Sequence, residues 1–267
     1  MKKQKQYNAV VCWNRGGSSA LMLALKQSGI PIVGFKYPWR FTFDYVNLKT
    51  KKVEKTKVNK DGGLLEPLKN VKENNPKGFW ELSTVTSETG MTEEFKDVGE
   101  DGDVVKISSR VFPSSDPDLI NKVIVVARDP RKILASQMKC NDNLKDIDQE
   151  QYIRVASLSM IYNMGMVWKW IKRNKKRVMV VRYEQLLKDP KWILNVVHWF
   201  LERKGDLEWG AKVIDKKLDR VKPVKSKAKE LEVLMDYYES NFTKRFNLDK
   251  IKESIKELDK ESKITNL

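Results

Sequence analysis

Two kinds of apolar pattern alternate along this chain. Short continuous runs rich in β-branched residues stand at 8–13, 31–35, 103–108, 122–127 and 177–182. Longer stretches with apolar residues every three or four positions stand at 18–28, 131–140, 149–173 and 190–203. Continuous runs of this length read as strands covered on both faces, and spaced ones as helices packed along one stripe. Strand and helix in alternation predict an α/β fold, a central parallel sheet flanked by helices on both faces. A chain of 267 residues is long enough for one such domain with a sizeable core, spanning 1–267.

Three stretches depart from that rhythm. Residues 36–62 carry Tyr37, Trp39, Phe41, Phe43 and Tyr45 before a Lys-rich alternating segment, which predicts an inserted hairpin. Its aromatics suit core packing, or the lining of a pocket for a substrate. Residues 83–101 are polar, with Gly90 and Gly99, and read as a loop or lid. From Leu207 to the end the chain is helical and charged, and Phe246, Ile251, Ile255 and Leu258 form one stripe suited to docking on the body. There is no internal repeat and no spacing of metal ligands.

The first strand runs through Val10, Val11 and Cys12 into Asn14-Arg15-Gly16-Gly17-Ser18-Ser19, and a helix opens directly after. Glycines let a backbone approach a phosphate closely, and the N–H groups of a helix start point at it. Ser18 and Ser19 add hydroxyl donors, and Arg15 a positive charge. The same residues also suit an ordinary turn and N-cap. The loop is not a Walker A motif, because no Gly-Lys-Ser or Gly-Lys-Thr occurs. A second strand, 122–127, ends in Arg128-Asp129-Pro130-Arg131 and leads into a helix for which Pro130 fits the first turn. Arg128 thereby stands at the carboxyl end of a strand, where open α/β sheets bind ligands, with Ser136 eight residues on. A salt bridge to Asp129 or Glu184 is the structural alternative for Arg128.

Together these motifs resemble the sulfotransferases that use 3′-phosphoadenosine 5′-phosphosulfate (PAPS), of the bacterial and viral type. In that family a strand–loop–helix of the form Pro-[Lys/Arg]-Ser-Gly-Thr-[Ser/Thr] holds the 5′-phosphosulfate. An Arg-x-Pro with a Ser eight residues after the Arg holds the 3′-phosphate. Tyr183-Glu184-Gln185-Leu186 resembles the family segment whose Tyr lies near the adenine, and Asn75-Pro76-Lys77-Gly78-Phe79-Trp80-Glu81 is similar to a segment of bacterial members. The resemblance spans roughly residues 8–202 in the family's order. It implies a fold like that of the P-loop kinases and NTPases. It also implies a 5′-phosphosulfate site of Arg15, Gly16, Gly17, Ser18 and Ser19, a 3′-phosphate site of Arg128 and Ser136, and Tyr183 against the adenine.

Some residues depart from the family pattern. Asn14 replaces the leading Pro, and Gly16 the Ser before the Gly. Many cytosolic members take a His base from a Lys-Thr-His segment, and Ser108 stands where that His would be. The one His, His198, lies among Val197, Phe200 and Leu201 and reads as a packed structural residue. Arg203-Lys204-Gly205 spells a late family segment but comes too early, and reads as a helix end closed by Gly205. Sulfuryl transfer, like phosphoryl transfer, is mostly positioning and charge stabilisation, with a base to take the acceptor's proton. Arg15 would stabilise charge rather than give a proton, and Lys106 is a second cation for that task. Glu81, beside Phe79 and Trp80, is the expected base, with Asp129 as the weaker alternative.

Charge and composition add less. The 52 Lys and Arg against 36 Asp and Glu give a net charge of +16, which suits an anionic nucleotide or acceptor. It also suits nucleic acid, so a non-catalytic nucleic-acid-binding protein remains an alternative, as do a nucleotide kinase or NTPase and a degenerate sulfotransferase that binds nucleotide alone. Cys12 and Cys140 do not look like a disulfide framework. The segment Met1–Gln6 is basic without an apolar signal stretch, no run is long enough to span a bilayer, and a cytoplasmic location is expected. The sulfate acceptor belongs to a sugar, lipid, small alcohol or amine, or peptide class that sequence does not separate.

Overall fold

A computed structural model describes residues 5–13, 15–33, 99–140, 148–174, 177–215, 217, 219 and 221–244, and the backbone of 44–47 and 52–55. Strands β1 (Tyr7–Cys12), β2 (Ile32–Val33), β5 (Val104–Ser108), β6 (Ile120–Ala127) and β7 (Val178–Arg182) form one sheet in the order β2-β5-β1-β6-β7. All its pairings are parallel, with Val11 beside both Ile107 and Val125, and Val125 beside Val180. Strands β3 (Asp44–Asn47) and β4 (Lys52–Lys55) pair antiparallel, Asp44 opposite Lys55 and Asn47 opposite Lys52, within the segment 36–62.

Helices cover both faces, which is why the strands carry apolar residues on both. Ala9 and Val11 of β1 join one core with Val105, Ile107, Val123, Val125 and Val180. That core is roofed by α2 (Pro130–Cys140), α3 (Gln149–Arg173) and α7 (Lys229–Tyr238). Val10 and Cys12 join the other core with Val104, Ile124, Val126 and Val181. Its roof is α1 (Ser18–Gln27), α4 (Tyr183–Lys188) and α5 (Pro190–Leu201), and the short α6 (Leu207–Lys212) packs behind α1 and α5. Local chemistry fixes the starts: Asp148 accepts the Glu150 N–H at 3.0 Å before α3, and Asp189 accepts the Trp192 N–H at 3.3 Å before α5, whose first residue is Pro190.

From β1 the chain winds to β2 and β5 on one side of it, then crosses to β6 and β7 on the other. The direction of winding therefore reverses at β1, the point at whose carboxyl end open α/β sheets bind ligands. Among the described residues no helix is long and apolar enough to cross a membrane, and no group of three or more His, Cys, Asp or Glu is placed to hold a metal.

Element boundaries lie within one or two residues of the sequence pattern, and two of the shifts bear on the course of the chain. Of the strand expected over 31–35, β2 takes Ile32–Val33, and 34–35 lie outside the described residues. The helix expected over 190–203 ends at Leu201, with Glu202 left-handed at φ 54°. Arg203 N–H donates to the His198 carbonyl and Glu202 N–H to that of Trp199, both at 3.0 Å, so the chain turns off three residues before Gly205. Gly205 does something else: a Cβ there would lie 2.2 Å from the Ser28 carbonyl oxygen and 2.5 Å from the His198 ring.

Candidate active site

The loop after β1 is built by backbone reversal. Arg15 (φ 70°) and Gly17 (φ 96°) are both left-handed, and Gly16 N–H donates to the Trp13 carbonyl at 2.7 Å. Trp13 is held by an edge contact with Phe242, ring centroids 5.5 Å apart. The two glycines are required by contact. A Cβ on Gly16 would lie 2.7 Å from the Trp13 oxygen, and one on Gly17 2.2 Å from the Tyr183 ring. Helix α1 starts at Ser18 with no side-chain cap, so the N–H groups of its first turn face the loop. Ser18 is buried and accepts from the Cys12 thiol at 2.7 Å, and Ser19 accepts from Lys106 Nζ at 3.3 Å. Lys106 reaches it from β5, the neighbour of β1.

Arg128 stands one residue beyond β6, 5% exposed. Its Nη1 donates to the Arg15 carbonyl at 2.8 Å, its Nη2 pairs with Asp219 at 3.0 Å, and its guanidinium lies 4.7 Å over the Tyr183 ring. Its Nε is buried and has no hydrogen-bond partner among the described residues. Arg15 Nε donates to Ser136 on α2 at 3.0 Å. The salt bridge considered for Arg128 is not to Asp129 or Glu184. Asp129 pairs with Arg131 at 2.8 Å, and Glu184 accepts the Asp129 N–H at 3.2 Å. Asp129 is taken up by Arg131 beside it, and Glu184 turns one oxygen to the Asp129 backbone, so neither carboxylate faces the Arg128 guanidinium.

Burial pushes the Tyr183 phenol up to about 12, against the pull of the Arg128 charge, so the ring is a neutral wall between Gly17 and Arg128. His198 lies at the other end of α1, where its Nε2 meets Ser28 Oγ at 2.9 Å, and burial lowers its pKa. Ser28 gives its own hydroxyl proton to the Leu25 carbonyl at 2.8 Å, so His198 carries its proton on Nε2. Ser108 accepts the Arg110 N–H at 3.4 Å.

The structure thus brings Arg15, Gly16, Gly17, Ser18, Ser19, Lys106, Arg128, Ser136 and Tyr183 together at the carboxyl end of the sheet, linked through the contacts above. Glu81 and Asn14 lie outside the described residues. Sequence reasoning passed over two members of the cluster. Lys132, in the first turn of α2, and Asp219, between α6 and α7, form an ion pair with each other beside Arg128. Lys132 left a trace, a cation two residues after Pro130. Asp219 left none, because it arrives from a segment 91 residues downstream of Arg128.

The profile of the "Sulfotransferase domain" matches residues 68–263. The chain belongs to the sulfotransferase family. Its chemistry is the transfer of a sulfuryl group, and neither the kinase nor the nucleic-acid reading is favoured. The matched residues begin after the 14–19 loop, the segment in which this sulfotransferase departs from the family pattern. The sulfotransferase also shares its fold with solved structures. Sulfotransferase STF9 from Mycobacterium avium aligns with a TM-score of 0.53 at 13% identity, over 89% of this chain and 76% of the other. The sulfotransferase domain from the curacin biosynthetic pathway aligns with a TM-score of 0.51 at 15% identity, over 88% and 98%. No curated protein matches the chain in a sequence comparison.

Proposed function

We propose that this sulfotransferase is a cytoplasmic enzyme that takes its sulfuryl group from PAPS and passes it to a hydroxyl or amine acceptor. The observation that carries the reading is the Arg15–Ser136–Arg128–Tyr183 cluster beside the Gly16–Ser19 loop. The side chains there suit a doubly phosphorylated adenosine. The loop and its neighbours offer N–H, hydroxyl and cationic donors, Arg128 keeps one buried N–H without a partner among the described residues, and Tyr183 presents a flat apolar face. When bound, PAPS supplies a sulfuryl group on a nucleotide leaving group.

Each side chain then has a task that its surroundings prepare. Arg128, with Ser136, holds the 3′-phosphate, its plane already fixed by the Arg15 carbonyl and the Tyr183 ring. Gly16, Gly17, Ser18 and Ser19 hold the 5′ end at the start of α1. Arg15 and Lys106 stabilise the negative charge that gathers on the leaving oxygen, and both are preorganised by hydrogen bonds to Ser136 and Ser19. Glu81 is the proposed base that takes the acceptor's proton. The buried Cys12 thiol, bonded to Ser18, is in keeping with a reducing compartment.

Thermal denaturation with adenosine 3′,5′-bisphosphate, AMP or ATP-Mg²⁺ tests the donor. At about 100 times its dissociation constant a ligand adds roughly 2.7 kcal/mol, which raises the Tm of a chain this size by about 5–10 °C. The expected result is that shift with the bisphosphate and a smaller one with AMP. Arg128→Ala is expected to bring the two nucleotides level. A shift with ATP-Mg²⁺ alone would overturn the reading. Glu81→Gln is expected to cut turnover by about 10²–10⁴-fold while nucleotide affinity holds, and full activity would remove Glu81 as the base.

A further inference from the structure

The carboxylate of Asp219 bridges two cations at the centre of the cluster. Its Oδ1 takes Arg128 Nη2 at 3.0 Å, and its Oδ2 takes Lys132 Nζ. A bridge of this form, one anionic oxygen to each cation, is the arrangement that two oxygens of a phosphate would make. Arg128 cannot turn away from it, since Nη1 is bound to the Arg15 carbonyl and its guanidinium plane is stacked on Tyr183. Exposure is graded across the pair: the side chain of Arg128 is 6% exposed, those of Lys132 and Asp219 20% and 25%. Arg128 is therefore the innermost of the three, with Lys132 and Asp219 nearer the solvent.

We propose that Asp219 is a resting counter-ion standing where the 3′-phosphate binds, and that Lys132 is the second cation of that subsite. The inference rests on the PAPS reading. A guanidinium as buried as that of Arg128 is costly without an opposite charge, and Asp219 supplies that charge while no nucleotide is present. An incoming 3′-phosphate carries a charge near −2 against the single charge of the carboxylate, so it displaces Asp219 from both cations. As product leaves, Asp219 returns. It thereby weakens the hold on the bisphosphate and favours release. The chain is arranged for this exchange. Ile214 is anchored in the core before Asp219, and Val224 N–H is bonded to the Arg131 carbonyl at 3.3 Å after it, so Asp219 lies between two fixed points over the start of α2.

Calorimetric titration of the full chain with adenosine 3′,5′-bisphosphate and with AMP tests the exchange. Asp219→Asn is expected to bind the bisphosphate on the order of ten-fold more tightly than wild type and AMP equally well. Asp219→Glu, which keeps the charge, is expected to stay near wild type. Lys132→Met is expected to bind the bisphosphate on the order of ten-fold more weakly, again with AMP unchanged. Should Asp219→Asn fail to fold, the Lys132→Met titration still decides. Equal or weaker bisphosphate binding by Asp219→Asn, or no change in Lys132→Met, overturns the exchange and leaves the PAPS reading standing. Absence of bisphosphate binding in wild type and every variant overturns both.

Discussion

Gly17 meets two demands at one position, a left-handed backbone at φ 96° and space for the Tyr183 ring. Gly17→Ala places a Cβ 2.2 Å from that ring, which has to move and cannot do so while stacked on Arg128. The expected cost is about 2–4 kcal/mol of stability, from strain and overpacking together, with loss of bisphosphate binding. Denaturant unfolding and a nucleotide titration on the same variant check both. His198 sets a pH dependence. Its ordinary value is 6.5, and burial lowers it, so the unfolded chain takes up the proton first. Its share of stability is whole above that value and is lost as pH falls through the folded pKa. The expected outcome is a Tm that drops between about pH 7 and about pH 5 by less in His198→Gln than in wild type. The loop glycines and Arg128 were legible in the sequence, because helix starts and strand ends announce themselves locally. Glu202 was not. A left-handed residue without glycine leaves no signature, and Gly205, the residue that looked like the helix end, is glycine for its contact with Ser28.

Gly210 shows how packing between elements outweighs propensity within one. It lies in α6, where a helix interior favours Ala by about 1 kcal/mol. A Cβ there would lie 2.9 Å from the Ala24 carbonyl oxygen of α1 and 3.0 Å from both Leu194 of α5 and Ser28. Gly210→Ala is therefore expected to lower stability by about 1–3 kcal/mol, and a rise in Tm would contradict the contact. The strands of the main sheet and the long helices were readable because a sheet roofed on both faces needs uninterrupted apolar strands, and each roofing helix needs one stripe. α4 was not read as a helix of its own. Six residues, Tyr183–Lys188, carry too few turns for periodicity to register, and the segment was recognised only by its motif.

At the scale of the molecule, the charge of +16 acts as a field rather than as a contact. Raising salt is expected to weaken the bisphosphate more than AMP, since the bisphosphate carries more charge and the Debye length shortens from about 10 Å at 0.1 M to about 3 Å at 1 M. A salt series of nucleotide titrations measures this, and equal slopes would assign the selectivity to short-range contacts alone. The charge did not distinguish among nucleotide, acidic acceptor and nucleic acid, because each is an anion. The family match and the cations clustered at the carboxyl end of the sheet narrow the field where net charge did not.

What local chemistry dictates, the sequence determined alone: buried parallel strands, amphipathic helices, a glycine turn at a helix start, an arginine at a strand end. These depend on a few consecutive residues, on uninterrupted apolar runs and on a helical period of 3.6. The tertiary structure alone decided the strand order with β1 at its reversal, the stacking of Tyr183 between Gly17 and Arg128, and the carboxylate that pairs with Arg128 and Lys132. These join residues separated by tens to more than a hundred positions, and no local pattern records which distant side chain will arrive at a given charge.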